Sequence, residues 1–236
     1  MKTTANGWQV LDEQLPALRR EYSFGPGMAT TLVVGLGARR LMAISPARGM
    51  DPAAHDELKA YGEVVALLAP NGMHHLGVES WLKQWPNSSA YAAEASLKRL
   101  NRKCSAGAVF KPVAALSLPQ GILVDNPPGV RSSDLVLRVS TGQGWLWYFN
   151  DLLMNMRALP TKPFFRLVFA LSGAKTGLSV PKLPQLLLVG DKHATGRWLL
   201  AEIDARPPAM VVFGHGEPMA GPGLADKLKA VIRERY

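Results

Sequence analysis

The sequence predicts an α/β (α+β) protein in which two mixed sheets pack face to face with helices outside. Three observations lead there. Strand-like and helix-like segments are interspersed along the chain rather than segregated. Hairpin-like pairs of strands occur in both halves, whereas a purely parallel βαβ repeat would alternate strictly. The 236 residues are 47% hydrophobic and 19% charged, which suits a packed core in one large domain or two small ones.

The elements follow from local pattern. TTLVVGL (30–36) and RRLMAIS (39–45) read as two strands joined by a short glycine-containing turn. Asp51-Pro52 reads as an N-cap and first helical position of a helix running to about Tyr61 and ended by Gly62. EVVALLA (63–69) has the length and apolar density of a buried strand. GVESWLKQWP holds a short helix stopped by Pro86, and SAYAAEASLKRLNRK holds a strand and a helix. PVAALSL, GILVDN, SDLVLRVS and GWLWYFND read as four further strands. Residues 152–184 combine Pro- and Gly-rich loops with one amphipathic piece, PFFRLVFALSG. A helix is predicted over 191–206, halted by Pro207-Pro208. AMVVFG (209–214) is another buried strand, and ADKLKAVIRERY closes the chain as a basic amphipathic helix. Trp81 and Trp85 share a helix face, and Trp145, Trp147 and Phe149 share a strand face; both sets read as packing residues. His55 reads as a surface residue of its helix.

The formal net charge of +9 favours anionic partners but says nothing about fold. Its carriers, among them Arg19-Arg20, Arg39-Arg40 and Lys98, Arg99, Arg102 and Lys103, are dispersed. That reads as a solvated basic surface with at most salt-sensitive, non-specific affinity for nucleic acid. One cysteine, Cys104, excludes an intrachain disulfide and fits a reducing, cytoplasmic setting. The N-terminus has no apolar signal region, and no apolar run is long enough for a transmembrane segment, so a soluble protein is expected. Membrane-surface association through FFRLVFALSGAK or the C-terminal helix is the remaining membrane reading.

Three polar clusters follow apolar strand runs. Asn71, His74 and His75 come after EVVALLAP, Asn150 and Asp151 after GWLWYF, and His215 and Glu217 after AMVVFG. Strands fix the backbone while the loops after them present side chains, and imidazole with carboxylate suits zinc or iron. Each group alone has a plain structural reading: a hydrogen-bonded histidine, or an aspartate capping a turn. His215 lies between two glycines, which permit close turns.

With these residues in view, the sequence resembles a divergent branch of the metallo-β-lactamase superfamily. The resemblance runs through LMAISPARGMDPAAHDELKAYGEVVALLAPNGMHHLG, GWLWYFNDLLMN and VVFGHGEP, and so covers most of the chain. It implies a single four-layer αββα domain over 1–236. The superfamily's HxHxDH motif, laid over this chain, places its first two histidines at Pro70 and Gly72, its aspartate at His74 and its last histidine at His75. The place of the next family histidine falls at Val130 or Arg131. The first metal position thus lacks its ligands. The resemblance leaves a second position made of His74, His75 and His215 with Asp151 as the carboxylate, holding one divalent ion: zinc first, iron or manganese otherwise. Asp191, in VGD, competes with Asp151 for the carboxylate place. Asp151 and Glu217 are the candidate catalytic groups, with Asp191 and His193 as further supporting candidates. The implied activity is hydrolysis of a small anionic ester, thioester, lactone or phosphoester. The alternative is a retained scaffold that holds no ion and acts as a binding protein.

Overall fold

The computed structural model describes residues 2–25, 27–104, 107–159, 166–167, 173 and 175–236. It divides into two compact units, Met1–Phe24 with Ala29–Gln120, and Gly25–Met28 with Gly121–Tyr236. Both carry a mixed sheet and helices, the α/β class that the sequence predicts.

The first unit is built on an eight-stranded sheet in chain order: β1 (Lys2–Thr3), β2 (Gln9–Asp12), β3 (Ala17–Ser23), β4 (Met28–Gly35), β5 (Arg40–Ile44), β6 (Glu63–Ala69), β7 (Ser89–Ala92) and β8 (Phe110–Pro112). β4 and β5 form the expected antiparallel hairpin, and β5 to β8 run parallel. Parallel neighbours need crossovers. These are supplied by α1 (Pro52–Leu58), α2 (Val78–Gln84) and α3 (Glu94–Lys103). Asp51 caps α1 as predicted, its Oδ1 accepting from the Ala53 amide at 2.8 Å. The helix ends at Leu58, earlier than expected, and turns carry the chain to β6. Val33, Leu41, Ala43, Val64 and Leu67 pack with Ala54, Leu58, Trp81, Trp85 and Leu100 of the helices. The alternate positions Leu32, Val34, Met42, Ile44 and Ala66 are buried as well. Burial of both faces is why these strands read as continuous apolar runs rather than alternating ones.

Two expectations need correction here. PVAALSL is not a strand: it gives the end of β8 and one 3₁₀ turn, Val113–Ala115, with Ala114 and Ala115 exposed. His55 is not on the surface: it is 4% exposed, accepts the Trp85 indole N–H at Nδ1 (3.1 Å) and meets Trp81 edge-on at 4.6 Å. The tryptophan pair is core, as expected, and the histidine between α1 and α2 is its polar partner.

The second unit holds a five-stranded sheet, β15 (Met219–Ala220), β14 (Pro208–Phe213), β11 (Gly144–Phe149), β10 (Val136–Thr141) and β9 (Ile122–Asp125), in that spatial order. β11 and β14 are parallel; the other pairs are antiparallel. A small ribbon pairs β12 (Met154–Met156) with β13 (Gly177–Ser179). Its helices are α4 (Lys182–Leu188), α5 (Lys192–Ala205) and α6 (Leu224–Arg235). Trp147, Phe149, Val211 and Phe213 pack against Leu199 and Ile203 of α5 and Leu224, Leu228 and Ile232 of α6. The apolar face of α6 is therefore part of the core. PFFRLVFALSG lies outside the described residues except for Arg166, Leu167 and Gly173. Among the described residues no helix is long and apolar enough to cross a membrane.

Part of the basic surplus is internal. Arg19 is 2% exposed and donates to Gln9 Oε1. Arg138, 1% exposed, bonds Glu202 and Asp125 and lies 5.6 and 5.0 Å from the Trp147 and Trp198 ring centres.

The His55 position generates a pH prediction. Burial, followed by the Arg20 charge, pushes its pKa below the ordinary 6.5. Below pH 6.5 the unfolded chain takes up a proton that the folded chain resists, so stability falls as pH drops through that window. His55→Asn keeps an acceptor for Trp85 but does not titrate. Its Tm should fall less than that of the wild type between pH 7 and pH 5; equal slopes would refute the assignment.

Candidate metal centre

In each unit the polar groups lie beyond the carboxyl ends of a parallel strand pair, where open α/β sheets commonly bind ligands. In the first unit the pair is β5 and β6. Ser45 follows β5 with φ 52°, a left-handed backbone that a non-glycine residue adopts at a cost. Its amide bonds the Leu68 carbonyl and its carbonyl accepts from Thr31 Oγ1, so the strained turn is pinned on both sides. Its Oγ lies 2.8 Å from His74 Nδ1 and 3.0 Å from the Tyr22 hydroxyl. His74 is held from its own loop as well. Buried Asn71 accepts the Met73 and His74 amides at Oδ1, an Asx turn that fixes the path from Pro70 to the imidazole.

His75 has a different setting. Its Nδ1 is buried with no hydrogen-bond partner among the described residues. Burial, and then the Arg99 charge, push its pKa down, so the ring is neutral at pH 7. Arg99 Nε donates to the Gly72 carbonyl at 3.2 Å. A Cβ on Gly72 would lie 2.9 Å from Arg99 Cδ, so the room beside position 72 is filled by this arginine.

In the second unit the parallel pair is β11 and β14. Asp151 follows β11 and His215 follows β14, and the structure brings them together: His215 Nε2 lies 3.3 Å from Asp151 Oδ1. The other ring nitrogen, Nδ1, lies 2.8 Å from the Met28 carbonyl. A carbonyl and a carboxylate both only accept, so in the metal-free geometry each ring nitrogen turns a proton outward, Nδ1 to Met28 and Nε2 to Asp151. Burial disfavours an imidazolium here. The Asp151 carboxylate, by bond and by charge, outweighs burial and raises the His215 pKa above 6.5.

The loop that presents Asp151 is organised by Asp134, a residue the sequence reading passed over. Asp134 is fully buried. Its Oδ2 accepts the amides of Asp151 (2.9 Å) and Leu152 (2.8 Å), and its Oδ1 accepts from Asn150 Nδ2 (3.2 Å). Asn150 in turn accepts from the Tyr148 hydroxyl at 3.0 Å. Ser133, at φ 62°, aims Asp134 inward, and Asn126 accepts the Asp134 amide at 2.9 Å. The only available signal was an aspartate just before an apolar strand. His215 is held by its glycines: a Cβ on Gly214 would lie 2.6 Å from Asn150 Oδ1, and one on Gly216, at φ +106°, would lie 1.8 Å from the Asn155 carbonyl oxygen.

Asp191 and His193 belong to α5. Asp191 caps α5, accepting the Ala194 amide at 3.0 Å. His193 is an exposed residue in the first turn of that helix. Glu217 accepts from Arg157 Nη2 at 2.5 Å, while its backbone is clasped by Asn155. Burial raises the Cys104 pKa, so its thiol is not activated.

No protein-family model matches the sequence, and no curated protein does either. Solved structures do. A metallo-β-lactamase from Pontibacter korlensis is similar at a TM-score of 0.64 and 10% identity, covering 97% of this chain and 99% of that one. One from Hirschia baltica gives 0.62 and 11%, over 95% and 96%. DIM-1 metallo-β-lactamase, in crystals exposed to ceftazidime, gives 0.61 and 14%, over 99% of both chains. The chain is a metallo-β-lactamase-fold protein. Its identity of 10–14% to these structures fits a divergent branch.

Asp134→Ala removes three charge-assisted bonds and leaves buried amides without an acceptor. The expected loss is about 2–4 kcal/mol by denaturant titration. An effect below about 0.5 kcal/mol would show that the Asp151 loop does not depend on it.

Proposed function

We propose that the protein is a divergent, single-metal hydrolase in which His74, His75, Asp151 and His215 hold one divalent ion. The observation that carries this reading is the Met28–His215–Asp151 chain. A histidine whose Nδ1 is tied to a backbone carbonyl is left with Nε2, beside a carboxylate, as the nitrogen a metal would take in place of its proton. The donor set fits the group: imidazoles plus one carboxylate suit zinc, with iron or manganese next. When bound, such an ion supplies Lewis acidity toward a substrate oxygen and acidifies water. The chain's own part is orientation and proton handling. Ser45 and Asn71 hold His74, Asp134 holds the Asp151 backbone, and Asp151 balances charge on His215. Glu217, paired with Arg157, is proposed as the proton carrier. The substrate class is a small anionic ester, thioester, lactone or phosphoester, and the surplus of basic side chains supports the anionic preference.

A second reading keeps the scaffold but not the chemistry. It is favoured by Gly72, where Arg99 fills the space that a ligand side chain at that position would need.

Elemental analysis separates the two. The hydrolase reading expects about one metal per chain, lost in His74→Ala, His75→Ala or His215→Ala, with turnover of a panel ester or phosphoester lost in parallel. Glu217→Gln should keep the metal and lower kcat by about tenfold or more. A folded chain that takes up no zinc, manganese or iron would leave the binding-protein reading.

A further inference from the structure

The solvent face of α4 is apolar. Leu183, Leu186 and Leu187 are 43%, 65% and 51% exposed, while Gln185 and Leu188 are buried. Positions i, i+3 and i+4 form one stripe on a helix. The usual arrangement is inverted: polar Gln185 turns inward and donates to the Arg235 carbonyl at 2.7 Å, and the leucines turn outward. Scattered apolar residues on a surface need no explanation, but a stripe of three leucines on one short helix marks an interaction site.

Charge selects the partner. From Arg157 through Gly190 the sequence carries Arg157, Lys162, Arg166, Lys175 and Lys182 and no acidic residue. Arg166, Lys175 and Lys182 are exposed among the described residues. Arg131, also exposed, donates to the Leu186 and Leu187 carbonyls, which sets a guanidinium at the end of the stripe. A second copy of the chain, docking by the same face, would set these cations against themselves. A surface of anionic phosphates would not.

We propose that α4 and its basic rim dock on the surface of an anionic lipid bilayer. The leucines enter the acyl boundary while Arg131 and Lys182 meet headgroup phosphates. The proposal does not depend on the metal reading.

Co-sedimentation with vesicles tests it, using phosphatidylcholine alone and phosphatidylcholine with about one third phosphatidylserine. The intact chain should pellet with the anionic vesicles at low salt and be released as salt rises. Lys182→Glu should weaken partitioning by about fivefold or more. Leu183→Ser/Leu186→Ser/Leu187→Ser should abolish it while the chain keeps a cooperative thermal transition, because these side chains lie outside the core. Failure to bind anionic vesicles at low salt would overturn the proposal. So would equal binding to neutral vesicles, or a concentration-dependent dimer that the triple variant abolishes while vesicles go unbound.

Discussion

One buried carboxylate organises the second unit's polar centre. Asp134 accepts two consecutive backbone amides, Asp151 and Leu152, and one side-chain amide, Asn150. A charged acceptor bonded to several N–H groups is among the stronger hydrogen-bonding arrangements available to a protein. It replaces the helix cap that Asp151 otherwise suggested: the chain after β11 does not wind into a helix but bends through 150–153 around Asp134. The Tyr236 hydroxyl at the chain's end reaches the Leu152 carbonyl at 3.4 Å, so the same bend is also held by the C-terminus. Asp151 is therefore placed by its backbone, and its carboxylate meets His215.

The two units use one device twice. Each places polar residues beyond a parallel strand pair, and each relies on a serine with a left-handed backbone, Ser45 or Ser133, to turn the chain there. The other described non-glycine residues with positive φ, Ala38 and Arg39, lie in the β4–β5 hairpin turn, where such angles are ordinary. In each unit the strained serine thus lies among the polar residues beyond the parallel pair. The strain is offset by bonds that fix each turn: Leu68 and Thr31 for Ser45, and the Asp134 network beyond Ser133.

The sequence was legible where one physical signal dominated. EVVALLA, GWLWYF and AMVVFG are apolar runs bounded by turn residues, and each became the strand expected. Asp51-Pro52 is a cap with its mechanism visible in two residues. The N-terminal strands β1 to β3 were not legible, because ALRREYS carries three charges and QVLD is too short to show a period; Gln9, across the β2–β3 pair, and Glu21 meet the buried Arg19 guanidinium. PVAALSL misled because apolar composition does not show burial. His55 misled because its partner, Trp85, is thirty residues away. At the centre, the histidines and Asp151 stood out by type and by position after strands. Asp134 and Ser45 did not, since their function lies in what they bond rather than in what they are.

The same distinction bears on the missing first metal position. A sequence alone records only that Pro70 and Gly72 stand where the superfamily motif has histidines. The structure adds that the space is occupied. Arg99, delivered by α3, lies against Gly72 and bonds its carbonyl, so a side chain at position 72 would require the arginine to move. The guanidinium also places a fixed positive charge near His75 and opposes its protonation. A cation held by the fold thus stands between Gly72 and His75 in its effect on both. A side chain placed at position 72 would therefore have to displace Arg99, whose own bond to the Gly72 carbonyl resists the move.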